Sequence, residues 1–119
     1  MRFVIPEQLP VQELKEGIEH RVAWGKNVMI SMLEMAPAAA IPEHSHPHEQ
    51  VGEIISGSVQ VILAGEAKIL EAGHIYFVSP GEKHSLRALE SGAVIRDFFT
   101  PIREEFRSPQ GTEERYFPR

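Results

Sequence analysis

Three of the six histidines in this chain stand two residues apart in the string PEHSHPHEQ, from Pro42 to Gln50. Imidazole is the commonest side-chain metal ligand at neutral pH. Residues two apart on an extended chain point to one face, so His44 and His46 can offer two nitrogens to one ion at about 2.0–2.1 Å. Pro47 lacks the donor a strand ladder needs and bends the chain. Gln50 can then return to the same ion from the next strand. His48 has the parity to compete with Gln50 if the strand runs straight through Pro47; a bend there would make it a neighbour of the ligands or a surface residue instead, the reading that the motif spacing also favours. Further on, GHIYFVSPGEKH (Gly73 to His84) reads as a strand ending in a Pro80-Gly81 turn that delivers His84. The expected ligand set is His44, His46, Gln50 and His84, against the plainer reading of a solvated histidine-rich loop and a satisfied His84. His20 and His74 have no partner pattern and read as ordinary core or surface histidines.

The ligand types constrain the chemistry. Three neutral imidazoles and a neutral amide leave a divalent cation its full +2 charge, which favours Lewis-acid chemistry on an anionic substrate. A carboxylate that would support a ferric state is missing from the set, which makes oxygen activation less favoured. Zinc, nickel, iron, cobalt, manganese and copper all accept such donors.

A second constellation lies in AVIRDFFTPIREEF, from Ala93 to Phe106. Strand alternation puts Ala93, Ile95, Asp97 and Phe99 on one face and Arg96 on the other. A carboxylate on that apolar face is costly unless it is paired or used. Arg103 could pair with Asp97, or reach over a barrel mouth as a planar fork for a substrate carboxylate.

The elements that must bring these residues together read as mostly β. Alternating segments run Val28 to Met35, Val51 to Ile55, Ser58 to Leu63, Ala67 to Leu70, Ile75 to Val78, Ser85 to Leu89 and Ala93 to Thr100. Turn signals fall at Ser56-Gly57, Ala64-Gly65-Glu66, Ala72-Gly73, Pro80-Gly81 and Ser91-Gly92. Short strands at near-regular spacing predict a sandwich or barrel, and a jelly roll would join the two histidine regions. Val11 to Ile18 reads as an outer strand or a short helix. Pro101 to Arg119 loses the alternation, with Pro109, Gly111 and Pro118 as breakers, and reads as a segment that caps the barrel or crosses to a neighbour.

With 119 residues, one domain (1–119, barrel core about 22–100, capping segment 101–119) is the expectation. The 42% hydrophobic and 24% charged content is that of a globular chain, and no apolar run approaches the ~20 residues of a membrane span. The first residues, with charges and two prolines, do not resemble a secretory signal, so the cytoplasm is the default compartment. With no cysteine, disulfides and thiolate metal sites are excluded. A net charge of −5 argues against sequence-independent nucleic-acid binding and for a small ligand or protein partner. The N-terminal segment is a plausible edge strand for a two-fold homodimer.

His44, His46, Gln50 and Gly57, followed by Gly73, Pro80, Gly81 and His84, resemble the two motifs of the cupin superfamily. The resemblance implies an all-β, single-domain jelly-roll barrel with one bound metal. Glutamine replaces the usual glutamate at position 50, and Ser79 stands where many cupins have proline. HSHPHEQ followed by DFFTPIREEF further resembles the KdgF family of small cupins in pectin and alginate breakdown. That resemblance implies catalytic contributions from Asp97, Phe99 and Arg103, and opening of cyclic 4,5-unsaturated monouronates to linear 4-deoxy-5-keto uronates. The chain departs from the pattern at Val51-Gly52-Glu53 and in a longer tail after Phe106. A non-catalytic sugar-acid-binding cupin and an iron-dependent dioxygenase are the alternatives.

Overall fold

The computed structural model of the protein describes residues 2–107 and 113–119. Eight antiparallel strands form it: β1 (Gln12–Lys15), β2 (Ile18–Trp24), β3 (Met29–Met35), β4 (Ala40–His44), β5 (Glu49–Leu63), β6 (Glu66–Glu71), β7 (Ile75–Val78) and β8 (His84–Thr100). They are ordered β1-β2-β3-β8-β5-β6, with β4 also paired to β8 and β7 to β5. The ambiguous N-terminal segment is thus an outer strand.

Two long strands make the barrel. β8 pairs through its first half with β4, joining His44 to His84, and through its second half with β3, joining Met29 to Phe99. β5 pairs with β8 from Glu49↔Thr100 to Leu63↔His84. The turn signals at Ser56-Gly57 and Ser91-Gly92 predict a break in each of them. These are not turns; the ladder shifts register there and both strands continue. The reason is a close backbone approach. Gly57 and Gly92 have φ of +78° and +70°, and a Cβ on Gly57 would lie 2.0 Å from the Gly92 carbonyl oxygen. Such a site accepts only glycine, and the resulting bulges bend both strands around the core.

Alternation along the strands fills that core. Ile18, Met29, Ile54, Val59 and Ile95 are almost wholly enclosed. Each such aliphatic side chain contributes about 1.5–3 kcal/mol on removal from water. Strands β2 and β4 escaped the sequence reading: β2 mixes His20 and Arg21 into its apolar run, and β4 is interrupted by Pro42.

After β8 the chain forms two single turns of helix, α1 (Glu104–Arg107) and α2 (Glu113–Tyr116). Their Phe106 and Tyr116, together with Phe117, join the core cluster. Pro109 and Gly111 lie outside the described residues. No helix among the described residues is long and apolar enough to cross a membrane.

Candidate metal centre

His44 closes β4 directly opposite His84, the first residue of β8, so one ladder rung sets two imidazoles side by side. Their ring centroids are 4.1 Å apart, and His46 lies 4.9 Å from His84. Ligand nitrogens of His44, His46 and His84 all fall within 4.8 Å of one another, and all three side chains are buried.

Each ring is oriented from behind by the backbone. Nδ1 of His44 meets the Pro42 carbonyl at 2.8 Å, Nδ1 of His46 the His48 carbonyl at 3.2 Å, and Nδ1 of His84 the Glu82 carbonyl at 2.8 Å. A carbonyl can only accept, so Nδ1 carries the proton and Nε2 is left with its lone pair. Burial, with the charges of His84 and Arg103 adding to it, lowers His44 to about 3; burial, Arg103 and His84 do the same for His46. His84 is lowered too, again chiefly by burial. The rings are therefore neutral at pH 7.

Two observations test whether a cation fits. Buried Nε2 of His84 has no hydrogen-bond partner. Nε2 of His46 lies 3.0 Å from Gln50 Oε1. A neutral imidazole has one proton for two flanking oxygens, so with Nδ1 protonated this contact sets two lone pairs face to face. A cation bound by both atoms would remove the conflict. The donor set, three imidazoles and an amide oxygen, suits a divalent transition metal.

His48 is nearly buried, with its ring 5.4 Å from that of His46, and lies outside the three-histidine cluster. His20 is a core histidine, with Nδ1 2.7 Å from Ser31 Oγ and Nε2 3.1 Å from Gln12 Oε1. The exposed His74 accepts the Glu71 amide at 2.9 Å.

Asp97 points inward on β8, on the face shared with Ile95 and Phe99. The pairing with Arg103, one of the two alternatives for this residue, is not the one formed. Asp97 Oδ1 accepts a hydrogen bond from the Tyr76 hydroxyl at 2.6 Å. Arg103 instead meets Glu105 Oε2 at 3.1 Å and donates to the Tyr116 carbonyl. Its guanidinium lies 4.1 Å from the Phe106 ring and 5.0 Å from the Phe99 ring. Register explains the difference. Asp97 is level with Gly52 on β5, which is level with Tyr76 on β7. Arg103 lies past the end of β8, and Glu105 and the tail are its neighbours. Tyr76 was missed because its pairing requires the β5–β7 register; only the alternation of IYFV hinted that it points inward.

Burial raises Asp97 from 3.8 to about 6, while hydrogen bonds from Tyr76 and Gln50 and the charge of Arg103 pull it back. Tyr76 is pushed well above 10 by burial and by Asp97. His44, Gln50, His84, Asp97, Arg103 and Phe117 all line one interior cavity, of about 20 Å³. That is room for about one water.

Residues 31–95 match the cupin domain family. Over 107 residues the chain is 33% identical to the pectin degradation protein KdgF of Dickeya dadantii (strain 3937), covering 88% of this chain and 97% of that one. Among solved structures, KdgF from Halomonas sp. superposes with a TM-score of 0.84 at 26% identity, over 89% of this chain and 98% of the other. An RmlC-like cupin from Shewanella frigidimarina NCIMB 400 gives 0.85 at 27% identity, over 89% and 96%. The domain match spans all four candidate donors, while Asp97, Phe99 and Arg103 lie beyond it and within the last strand and tail. Barrel, histidine cluster and near full-length likeness agree: the chain belongs to the cupin family and is a KdgF-like cupin.

Proposed function

We propose that this cupin is a metal-dependent enzyme that opens cyclic 4,5-unsaturated monouronates to linear 4-deoxy-5-keto uronates. His44, His46, Gln50 and His84 would hold one divalent ion, one of zinc, nickel, iron, cobalt, manganese or copper. The likeness to a pectin degradation protein supports the substrate class. The observation that carries the reaction is Asp97: a buried carboxyl raised to about 6, lining the same cavity as the donors.

The reaction breaks the C1–O5 bond, moves the anomeric hydroxyl proton away, and adds a proton at C4 as the C5 enol becomes a ketone. Atoms and electrons balance without a redox cofactor. When bound, the ion supplies electrophilic stabilisation of the charge that develops on oxygen. Asp97 then serves as the proton shuttle, since a carboxyl near 6 can both take and give a proton at neutral pH. Phe99, on the same face, supplies an apolar wall. Arg103 receives the substrate carboxylate by exchanging its contacts with Glu105 and the Tyr116 carbonyl for it. A two-fold dimer through the outer strand β1 is part of the proposal, and light scattering measures it.

The test is to incubate metal-loaded protein with unsaturated monouronate and follow loss of absorbance from the conjugated enol ether. Faster decay than the spontaneous reaction is expected. No acceleration, with metal confirmed bound, removes the reading.

A further inference from the structure

Tyr76 has a path to Asp97 that depends on one missing side chain. A Cβ placed on Gly52 would lie 2.3 Å from Tyr76 Cζ and 2.5 Å from Asp97 Oδ1. Gly52 is not among the glycines with positive φ, so its backbone asks for nothing special. What the position needs is space: the Tyr76 ring lies across the bare strand and its hydroxyl arrives 2.6 Å from Asp97. Gln50, two residues earlier on the same inward face of β5, lines the same cavity as Asp97 and favours the ionised forms of both Asp97 and Tyr76, the effect of an amide NH2 turned towards them. Its Oε1 faces His46 at 3.0 Å.

A primary amide is nearly symmetrical in shape and can present either end to a neighbour. Only a partner for the NH2 group decides which end meets the histidines. Asp97 and Tyr76 are the acceptors on that side of the amide, and the Tyr76 hydroxyl in turn occupies one oxygen of Asp97.

We infer that Tyr76 is a positioning residue: admitted by the gap at Gly52, its hydroxyl fixes the Asp97 carboxylate and, with it, the Gln50 amide, so that the amide oxygen faces the three histidines. The part of this inference that concerns Asp97 rests on the proton-shuttle role proposed above. The part that concerns Gln50 rests on the donor cluster alone.

Tyr76→Phe removes the hydroxyl and keeps the ring, so two measurements on the full chain separate the parts. Partners of this kind are worth about 10- to 100-fold in metal affinity or activity. Cobalt(II), titrated into the metal-free variant and followed by its visible absorption, should bind about tenfold more weakly than to the parent protein. With unsaturated monouronate, kcat should fall about 10- to 100-fold while KM stays within about twofold. Gly52→Ala should reproduce both defects by displacing the ring. Cobalt affinity and kcat both unchanged in Tyr76→Phe would overturn the inference, as would a loss expressed only in KM. If the parent protein does not turn over uronate, the functional reading falls separately. Cobalt affinity then decides alone, and an unchanged value in Tyr76→Phe overturns the clamp.

Discussion

The donor end of the barrel and the C-terminal segment lying against it are held in different ways. His44, Gln50, His84 and Asp97 sit on strands whose ladders fix their heights, and each histidine ring is braced by a backbone carbonyl within two residues. The described residues of the tail join no ladder. Its two helices have four residues each, far below the length at which an isolated helix is stable. It is held by the half-exposed Lys15–Glu113 pair at 2.6 Å, a bond from the Ser45 amide to the Pro118 carbonyl, the Arg103 contacts and three buried aromatics. Phe117 packs 5.0 Å from His44. The barrel thus fixes the candidate donors, while Phe117 of the tail closes part of the cavity of about 20 Å³; the proposed monouronate needs more room than that.

The sharpest break of this contrast is Asp97→Asn. It keeps shape and strand position but removes the transferable proton, so kcat should fall by about 10²- to 10⁴-fold with one metal still bound per chain. A non-catalytic binding protein would have no turnover to lose.

Acid should act on the buried histidines. His20, His44 and His46 take a proton at 6.5 in the unfolded chain but only near 3 when folded. Their stabilisation is complete above about 6.5 and is lost as pH falls towards 3. Asp97, at about 6 folded against 3.8, works in the opposite direction between those values, but it is one group against three. The metal-free protein should therefore unfold at lower denaturant at pH 5 than at pH 7, by on the order of 1 kcal/mol per pH unit for each uncompensated histidine at most. A flat profile would contradict the neutral, buried histidines.

Phe117→Ala probes the other region. Removing a buried aromatic should cost about 3–5 kcal/mol in denaturant unfolding. The same change should raise kcat/KM for a monouronate, because the ring lines the cavity. If activity falls in step with stability, the tail is a wall of the site and not a cover.

The two regions were also unequally legible in the sequence. That His44 and His46 share one face could be read from spacing, because strand parity is a local property; that Gln50 and His84 come to the same place depends on the β5–β8 and β4–β8 pairings, to which the resemblance to the cupin motifs pointed. β7 was read to the residue from strand parity as well. Gly57 and Gly92 were misread because a positive φ signals a turn and a bulge alike, and only the long-range β5–β8 pairing tells them apart. Tyr76 depends on that same kind of pairing. Arg103 depends on where a segment without periodicity comes to rest, so its partners Glu105 and Tyr116 could not be read from alternation.

The central claim is that an ion held by three histidines and Gln50 is required for uronate opening. Its most direct test is the rate of absorbance loss from unsaturated monouronate with chelator-stripped protein, before and after one equivalent of divalent metal. The account predicts the spontaneous rate for stripped protein and full recovery at one ion per chain. Full activity in the stripped protein, or metal bound without acceleration, would contradict it.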